Sequence, residues 1–180
     1  MKVLETKIDG CLIIEPNVFG DSRGFFLETW NQRNYRDIGL PQHFVQDNLS
    51  FSVKGVLRGL HFQNPMPQGK LVYVLQGEVF DVVVDLRKTS RTFGKWLDIK
   101  LSSENKKQFF IPPGCAHGFL VLSDTALFAY KCTDFYSTEN EKCIIWNDPD
   151  LDIKWPISSP VLSKRDLAGV RLKDFDCDAF

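Results

Sequence analysis

The chain has 180 residues, 22 basic and 23 acidic side chains, a formal net charge of -1, and 43% hydrophobic residues. This balance gives no indication of nucleic-acid or membrane binding, and the hydrophobic content argues against disorder. No apolar run is long enough for a transmembrane helix, and residues 1–10 lack the apolar core of a secretory signal. We therefore expect a cytoplasmic protein with one domain over residues 1–180.

Short apolar runs separated by Gly, Pro, Asn and Asp predict β-strands along most of the chain. In chain order the predicted strands are 11–15, 23–30, 44–51, 56–63, 70–86 with a break at Gln76-Gly77-Glu78, 95–101, 108–111, 117–122, 126–133 and 143–146. The helix signals are few: a short helix over 31–40 opened by Asn31 and ended by Gly39 before Pro41, one turn over 102–107, and a short helix over 163–169. This pattern predicts an all-β fold, a jelly-roll sandwich or barrel whose mouth can hold a ligand.

Residues 70–86 carry the clearest strand signal. Two runs of apolar residues flank Gln76-Gly77-Glu78, which is a turn or bulge signal. From 79 to 86 one set of alternating positions is wholly apolar, and the other set mixes valine with aspartate. That alternation predicts a half-buried antiparallel strand.

The cysteines give no sign of a disulfide framework or a zinc site. They are odd in number, and no two have C-x-x-C spacing: Cys11, Cys115, Cys132, Cys143 and Cys177. We expect free thiols in a reducing compartment.

The segment IPPGCAH at 111–117 resembles the second motif of the cupin barrels, where the histidine is a metal ligand. The first cupin motif supplies an H-x-H pair and a nearby glutamate, whereas this chain has His61-Phe62-Gln63 and no glutamate before Lys70. Since His61 and His117 alone make a poor divalent-metal site, we expect no metal. The chain also lacks a phosphate-binding glycine loop and a nucleophile elbow, so acid–base chemistry is the chemistry that remains.

His61 is the main candidate for that chemistry, because histidine titrates near neutrality. Arg58 and Gln63 flank it, which places a base, a fixed cation and an amide in one extended segment. Such a segment suits a site that binds an anionic substrate and moves protons. The spacing is equally compatible with a buried histidine that has only a structural role.

Strand alternation indicates two further candidates. Gln46 and Asn48 share one face of a strand and form an amide pair suited to a polar ligand. Tyr130 lies on an apolar face with Lys131 turned away from it. It is either a core residue or a proton donor that faces the cavity.

Nine segments carry a resemblance to the dTDP-4-dehydrorhamnose 3,5-epimerase family of the deoxysugar pathway. They occur in the family's order and spacing from about Lys2 to Asp166: FGDSRGFF at 19–26, FVQDN at 44–48, GVLRGLHFQ at 55–63, GKLV at 69–72, GEVFDV at 77–82, DLR at 85–87, PGCAHGF at 113–119, FAYK at 128–131 and WNDPD at 146–150.

The resemblance implies a cupin-type jelly roll, a homodimer and an isomerase without metal or cofactor. Its substrate would be dTDP-4-dehydro-6-deoxy-D-glucose, inverted at C3 and C5 to dTDP-4-dehydro-L-rhamnose for dTDP-L-rhamnose and cell-wall polysaccharide synthesis. By resemblance, His61 is the base, Asp166 orients it, Tyr130 is the acid on the opposite face, and Lys70 stabilises the enolate oxygen.

The resemblance also assigns binding residues. The positions that match nucleotide-sugar contacts are Arg23, Glu28, Gln46, Asp47, Asn48, Arg58, His117, Glu141 and Arg165. Phe19 and Arg23 resemble positions that reach the neighbouring subunit's site, and Tyr136 one that lines the cavity. The sequence departs from the family pattern at Phe62, at Cys115, and at Arg165, where a lysine is frequent.

Three alternatives remain open on the sequence. One is an epimerase of a single carbon, or a keto-isomerase, acting on a related nucleotide-4-keto sugar. Another is a non-catalytic sugar-binding cupin, for which a base, an acid and an orienting carboxylate would be superfluous. The third is a metal-dependent cupin enzyme.

Overall fold

The computed structural model describes residues 1–41 and 43–175, and its strands form two facing antiparallel sheets and a separate hairpin. The strands are β1 Lys2–Glu5, β2 Leu12–Glu15, β3 Val18–Asp21, β4 Gly24–Leu27, β5 Gln46–Val53, β6 Leu57–Gln63, β7 Lys70–Gln76, β8 Glu78–Asp85, β9 Trp96–Ser102, β10 Gln108–Ile111, β11 Cys115–Val121, β12 Thr125–Cys132 and β13 Glu141–Cys143. The first sheet has the order β1-β2-β10-β7-β12-β5, the second β13-β6-β11-β8-β9, and β3 pairs with β4.

The main hydrophobic core lies between the two sheets. Val72 and Phe128 from the six-stranded sheet and Val83 and Phe119 from the five-stranded sheet belong to one buried cluster. Each such side chain contributes roughly 1.5–3 kcal/mol by leaving water. The predicted all-β, jelly-roll type of sandwich is confirmed.

Most predicted strands are present, with shifts at their ends, but some boundaries are wrong. Of 23–30 only Gly24–Leu27 is a strand, and 143–146 overlaps the observed Glu141–Cys143 at a single residue. Lys2–Glu5 and Val18–Asp21 form strands that the sequence did not predict. These two are short and largely exposed, so their hydrophobic alternation is weak.

The predicted helices are present but shorter. Helix α1 spans Gln32–Arg36, and the Asn31 side chain caps it by accepting from two backbone N–H groups. Helix α2 spans Lys164–Leu167, and a turn of 3₁₀ helix follows at Leu172–Asp174. The single turn predicted over 102–107 is present at 103–105, directly after the last residue of β9. No helix in the described part of the chain is long and apolar enough to cross a membrane.

The segment 70–86 crosses from one sheet to the other instead of forming a hairpin. Strands β7 and β8 belong to different sheets. Gly77 between them has φ +83°, and a Cβ at this position would lie 2.1 Å from the Thr125 carbonyl oxygen. The turn signal was therefore correct, but it marks a change of sheet that only glycine can make here.

The prediction that the second half of this segment is half-buried is wrong. Val79 and Val83 face the main core, and the opposite side of β8, with Val82 and Val84, is buried as well in a second cluster. That side is covered by Trp96 of β9 and by residues from the C-terminal third: Leu151, Ile153 and Trp155. Both faces of β8 are thus covered, which a period-two pattern with two aspartates does not indicate.

The cysteine prediction is confirmed for the four cysteines that the structure describes. Cys11, Cys115, Cys132 and Cys143 are free thiols, and Cys177 lies outside the described residues.

Candidate active site

A cavity of about 360 Å³ opens between the two sheets. The six-stranded sheet contributes Lys70 from β7 and Tyr130 from β12, and the five-stranded sheet contributes Arg58 and His61 from β6 and His117 from β11. The strand pairing places His61 and His117 side by side on neighbouring strands.

His61 is held from behind by a buried carboxylate. Its Nε2 atom lies 2.7 Å from Oδ1 of Asp166, whose side chain is 3% exposed, while the His61 side chain is 26% exposed. This nitrogen is buried, and the Asp166 carboxylate is its polar neighbour among residues 1–41 and 43–175. Nδ1 is therefore left to accept a proton, as the neutral tautomer requires. The nearest carboxylate to Nδ1 is Glu141, at 4.0 Å.

Asp166 is itself fixed by short helix α2. Its side chain closes a capping box with Ser163, whose hydroxyl donates to Oδ2 at 2.6 Å. The backbone N–H of Gly59 donates to Oδ1 at 3.1 Å. Burial opposes ionisation of Asp166, but hydrogen bonds from His61, Ser163 and Gly59 together lower its pKa to about 2. The carboxylate is thus charged at neutral pH, and such a charge beside an imidazole stabilises its imidazolium form.

A β-bulge brings Arg58 and His61 to the same wall. Opposite β11, the pairing moves from His117↔His61 to Phe119↔Arg58, so three steps on β6 match two on β11. Strict alternation would have placed Arg58 and His61 on opposite faces. The close approach needs glycine, because a Cβ on Gly118 would lie 2.7 Å from the Arg58 carbonyl oxygen.

Arg58 is a cation without a carboxylate partner among the described residues. Its Nε donates to the Ser52 hydroxyl at 3.0 Å, and its Nη2 lies 3.4 Å from the Phe51 carbonyl oxygen. A guanidinium held only by neutral groups at a cavity wall is suited to a phosphate.

Tyr130 faces the cavity from the opposite sheet. Burial raises the pKa of its phenol, which is therefore protonated at neutral pH. Within the described ranges its hydroxyl has no hydrogen-bond partner from the protein. The predicted orientation is confirmed, since Lys131 points to the outer face and pairs with Asp47 at 2.8 Å. A half-buried phenol at a cavity wall, without a protein partner, has a proton available for a ligand.

Lys70 is the cation on the same sheet as Tyr130. Burial lowers the pKa of its ammonium, and the neighbouring Cys132, Glu141 and Asp81 act in the opposite direction. The pKa is lowered on balance, so these neighbours offset the desolvation of Lys70 only in part.

His117 forms a second histidine–aspartate pair beside the first. Its Nε2 lies 3.0 and 2.9 Å from the two carboxylate oxygens of Asp81, which is completely buried. The His117 ring stacks on Phe128, with 6.0 Å between ring centroids. Burial raises the pKa of Asp81, while His117 and Lys70 act to lower it. The charge of Asp81 therefore interacts with both His117 and Lys70.

The rim of the cavity is organised by Glu141. The Arg165 guanidinium is in close contact with its Oε2, and the Tyr136 hydroxyl donates to the same oxygen at 2.7 Å. The backbone N–H of Tyr136 also donates to the Gln46 side chain at 2.8 Å, and the Gln46 amide donates to Asn48 at 2.9 Å. The predicted amide pair is thus linked to the rim.

Gln63 has a structural role, although its position beside His61 suggested an amide that binds the substrate. Its amide nitrogen donates to the carbonyl oxygens of Met66 and Phe135, and its oxygen accepts from Ser137 N–H. The side chain therefore holds two loops together, although it touches the cavity wall.

Four of the residues assigned by resemblance are not brought to this chain's own cavity. Phe19 and Arg23 lie on the exposed β3–β4 hairpin, and Arg23 pairs with Asp21. Glu28 accepts from the side chains of Asn31 and Asn34. Asp47 lies on the outer face of β5, in the ion pair described above, because it alternates with the inward-facing Gln46 and Asn48.

Two residues of the site escaped the sequence reasoning. Ser163 could have been found, since serine three residues before an acidic residue at a helix start is a capping-box signal. Asp81 carried a weaker signal, as a charged residue between valines on a strand face that proves to be buried.

A cluster that could in principle hold a metal lies at the same place. Ligand atoms of His61, Cys143 and Asp166 are within 4.8 Å of one another. Burial, followed by the charges of Asp166 and Glu141, raises the pKa of the Cys143 thiol to about 12. A neutral thiol is a poor ligand, so this donor set does not fit a resident metal ion, and its absence stays a prediction.

Comparison with known proteins identifies relatives over nearly the whole chain. The sequence model of the family described as dTDP-4-dehydrorhamnose 3,5-epimerase matches residues 5–174. A protein of that name from Shigella flexneri is 54% identical over 178 residues, which cover 98% of each chain.

Solved structures give the same picture. That of dTDP-6-deoxy-D-glucose-3,5-epimerase from Legionella pneumophila, in complex with dTDP-4-keto-L-rhamnose, has a TM-score of 0.95 and 53% identity and covers 99% of this chain and 96% of its own. A 3'-monoepimerase from Streptomyces bikiniensis in complex with dTDP-quinovose has a TM-score of 0.88 and 33% identity, with coverages of 93% and 86%.

Proposed function

The chain belongs to the dTDP-4-dehydrorhamnose 3,5-epimerase family, and on that premise we propose that its cavity inverts C3 and C5 of dTDP-4-dehydro-6-deoxy-D-glucose. The product is dTDP-4-dehydro-L-rhamnose, and the enzyme is an isomerase of dTDP-L-rhamnose synthesis. A cytoplasmic location stays a prediction from the sequence.

One observation carries this proposal: a base and an acid line the same cavity from opposite sheets. His61 belongs to the five-stranded sheet and Tyr130 to the six-stranded sheet. Facing sheets lie about 10 Å apart, which leaves room for a sugar ring with one group on each side. Inversion requires removal of a proton from one face and delivery to the other, as this arrangement allows.

The reaction begins at the C–H bonds next to the 4-ketone. His61 takes the proton through Nδ1, and the electron pair of the C–H bond moves onto the ketone oxygen to form an enolate. Tyr130 then gives its proton to the same carbon from the other face, and the carbonyl re-forms. His61 then releases its proton to solvent and Tyr130 regains one. Because the ketone activates both C3 and C5, the same groups can then serve the second centre.

The enolate oxygen needs positive charge or a donor near it, and this electrostatic contribution is usually the largest single one. Lys70 lines the cavity and can supply it. Arg58 is the proposed pyrophosphate partner. Tyr136, Gln46, Asn48, Glu141 and Arg165 form the rim on which the nucleotide would lie.

We also propose that the active species is a homodimer. The outer face of the six-stranded sheet exposes large apolar side chains, among them Leu49 at 60%, Phe51 at 59% and Val53 at 52% exposure. The β3–β4 hairpin exposes Phe19 and two further phenylalanines. Apolar surface of this extent on a protein marks an interface.

In such a dimer Phe19 and Arg23 would reach the partner's cavity, which accounts for their distance from their own. Light scattering of the purified protein should give twice the 20.7 kDa of one chain. A species of 20.7 kDa at working concentration would contradict the dimer.

The function is tested by following the dTDP-4-keto sugar in D₂O by NMR. We expect deuterium at both C3 and C5, together with the product of inverted configuration at both. Label at C3 alone would convert the assignment to a single-centre epimerase, as the Streptomyces bikiniensis relative is named. No label at either carbon, with the sugar bound, would leave a non-catalytic binding protein.

A further inference from the structure

We infer that Asp81 is a positioning residue for the proposed reaction: from behind the cavity wall it holds His117 by Nε2, leaving Nδ1 for the substrate, and its carboxylate compensates the charge of Lys70. The inference rests on the proposed function, but part of its test does not need turnover.

The geometry of the pair is the first support. Both Asp81 oxygens lie within 3.0 Å of His117 Nε2, and the Asp81 side chain makes no other hydrogen bond to the described residues. The aspartate is 0% exposed and does not itself line the cavity, whereas His117 does. A carboxylate that accepts from one ring nitrogen fixes both the ring orientation and the tautomer.

The second support is the parallel with Asp166. The two histidines are paired across β6 and β11, and each is held through Nε2 by a carboxylate from behind. The strand arrangement therefore presents two Nδ1 atoms to one cavity. His61 is the proposed base. His117, with its proton on Nε2, presents Nδ1 as an acceptor for a hydroxyl of the sugar, and the oxygen that becomes the enolate is left to Lys70.

The third support is the need for a counter-charge to Lys70. The titratable groups around this ammonium, from all strands packed there, are His61, Asp81, His117, Tyr130, Cys132 and Glu141. Burial raises the pKa of Tyr130 and of Cys132, so both are neutral near pH 7. Glu141 is engaged by Arg165, and the other cavity arginine, Arg58, is cationic. Glu141 and Asp81 both act to keep Lys70 charged, and Asp81 is the fully buried one of the two, without an arginine partner among the described residues.

Asp81→Asn is the decisive variant, because it removes the charge and keeps the size. We expect kcat to fall about 10²-fold with KM within about threefold, since the loss concerns charge that develops in the transition state. Without the carboxylate, burial lowers the pKa of Lys70 further, so its proton is lost at lower pH. The alkaline limb of the kcat profile should therefore move down by about one pH unit.

Asp85→Asn is the matched control. Asp85 lies on the same strand and is also 0% exposed, but it accepts from Arg87, Ser90 and Thr92, away from the cavity. We expect this variant to lower the thermal midpoint without moving the pH profile of kcat. If Asp81→Asn behaves in the same way, Asp81 is merely structural and the inference is wrong.

A measurement on the parent protein covers the case in which Asp81→Asn does not fold. Nitrogen-15 NMR of the histidines, without substrate, should show His117 with its proton on Nε2. A proton on Nδ1 would overturn the inference. This readout does not depend on turnover. A parent protein without epimerase activity would contradict the proposed function, and the NMR result would still test the His117–Asp81 assignment.

Discussion

Replacing His61 by glutamine is expected to lower kcat at least about 10³-fold and to stop solvent deuterium from entering both C3 and C5. A positioned general base contributes roughly 10²–10⁴-fold. The amide of glutamine cannot take a proton at neutral pH. Its nitrogen can still donate to Asp166, so the buried carboxylate keeps a partner and the fold is preserved. Binding of dTDP should therefore change little.

His43→Gln is the control for this experiment. His43 is exposed and is not among the residues that line the cavity, so the same substitution there should leave kcat within about twofold of the parent. The measurement is NMR of label uptake alongside steady-state kinetics. Label entry at one carbon in the His61 variant would mean that a second base serves that carbon, and kcat within tenfold of the parent would exclude His61 as the base.

The alternation of strand residues predicted part of this site correctly. It placed Gln46 and Asn48 on one face, and Tyr130 on the face opposite Lys131, and the cavity wall and the Lys131–Asp47 ion pair agree. These positions follow from a local rule of backbone geometry, because successive side chains of a strand point to opposite faces.

The rule fails where the strand is irregular. Arg58 and His61 are three residues apart and share a wall only because β6 carries a bulge opposite Gly118. The sequence shows the glycines, but a glycine alone does not indicate at which position one strand of a pair carries the extra residue of a β-bulge. The same limit applies at Gln76-Gly77-Glu78. The sequence predicted a turn there, but it did not show that the chain passes to the other sheet after the turn.

Long-range partners are the other part that periodicity cannot supply. Asp166 lies 105 positions after His61 in the sequence numbering, and its pairing with His61 was expected from family resemblance alone. Asp81 faces His117 because β8 and β11 pair in a register set by the whole sheet. An aspartate between valines indicated that this side of β8 is mixed and half-exposed. The structure instead buries both faces of β8, so Asp81 lies in the interior.

Replacing Tyr130 by phenylalanine should separate the two halves of the reaction. The change removes only a hydroxyl that has no protein partner within the described ranges, so the free energy of unfolding should fall by less than about 1 kcal/mol. Product formation should fall about 10²–10⁴-fold, because the acid on the second face is lost.

Proton removal by His61 should nevertheless continue in the Tyr130→Phe variant. The enolate would then recover a solvent-derived proton from the face on which His61 lies, and NMR in D₂O should find label in recovered substrate of unchanged configuration. The His61→Gln variant gives no such label, so the two residues are distinguished by isotope rather than by rate alone.

Tyr35→Phe is the control for Tyr130. The Tyr35 hydroxyl is buried, lies outside the cavity and donates to the Gln108 side chain at 2.7 Å. Its removal should cost about 1 kcal/mol of stability and leave product formation unchanged. Product formation within threefold of the parent in Tyr130→Phe would contradict the assignment, and a loss in Tyr136→Phe instead would identify Tyr136 as the acid, since its hydroxyl also lies at the cavity, next to Glu141.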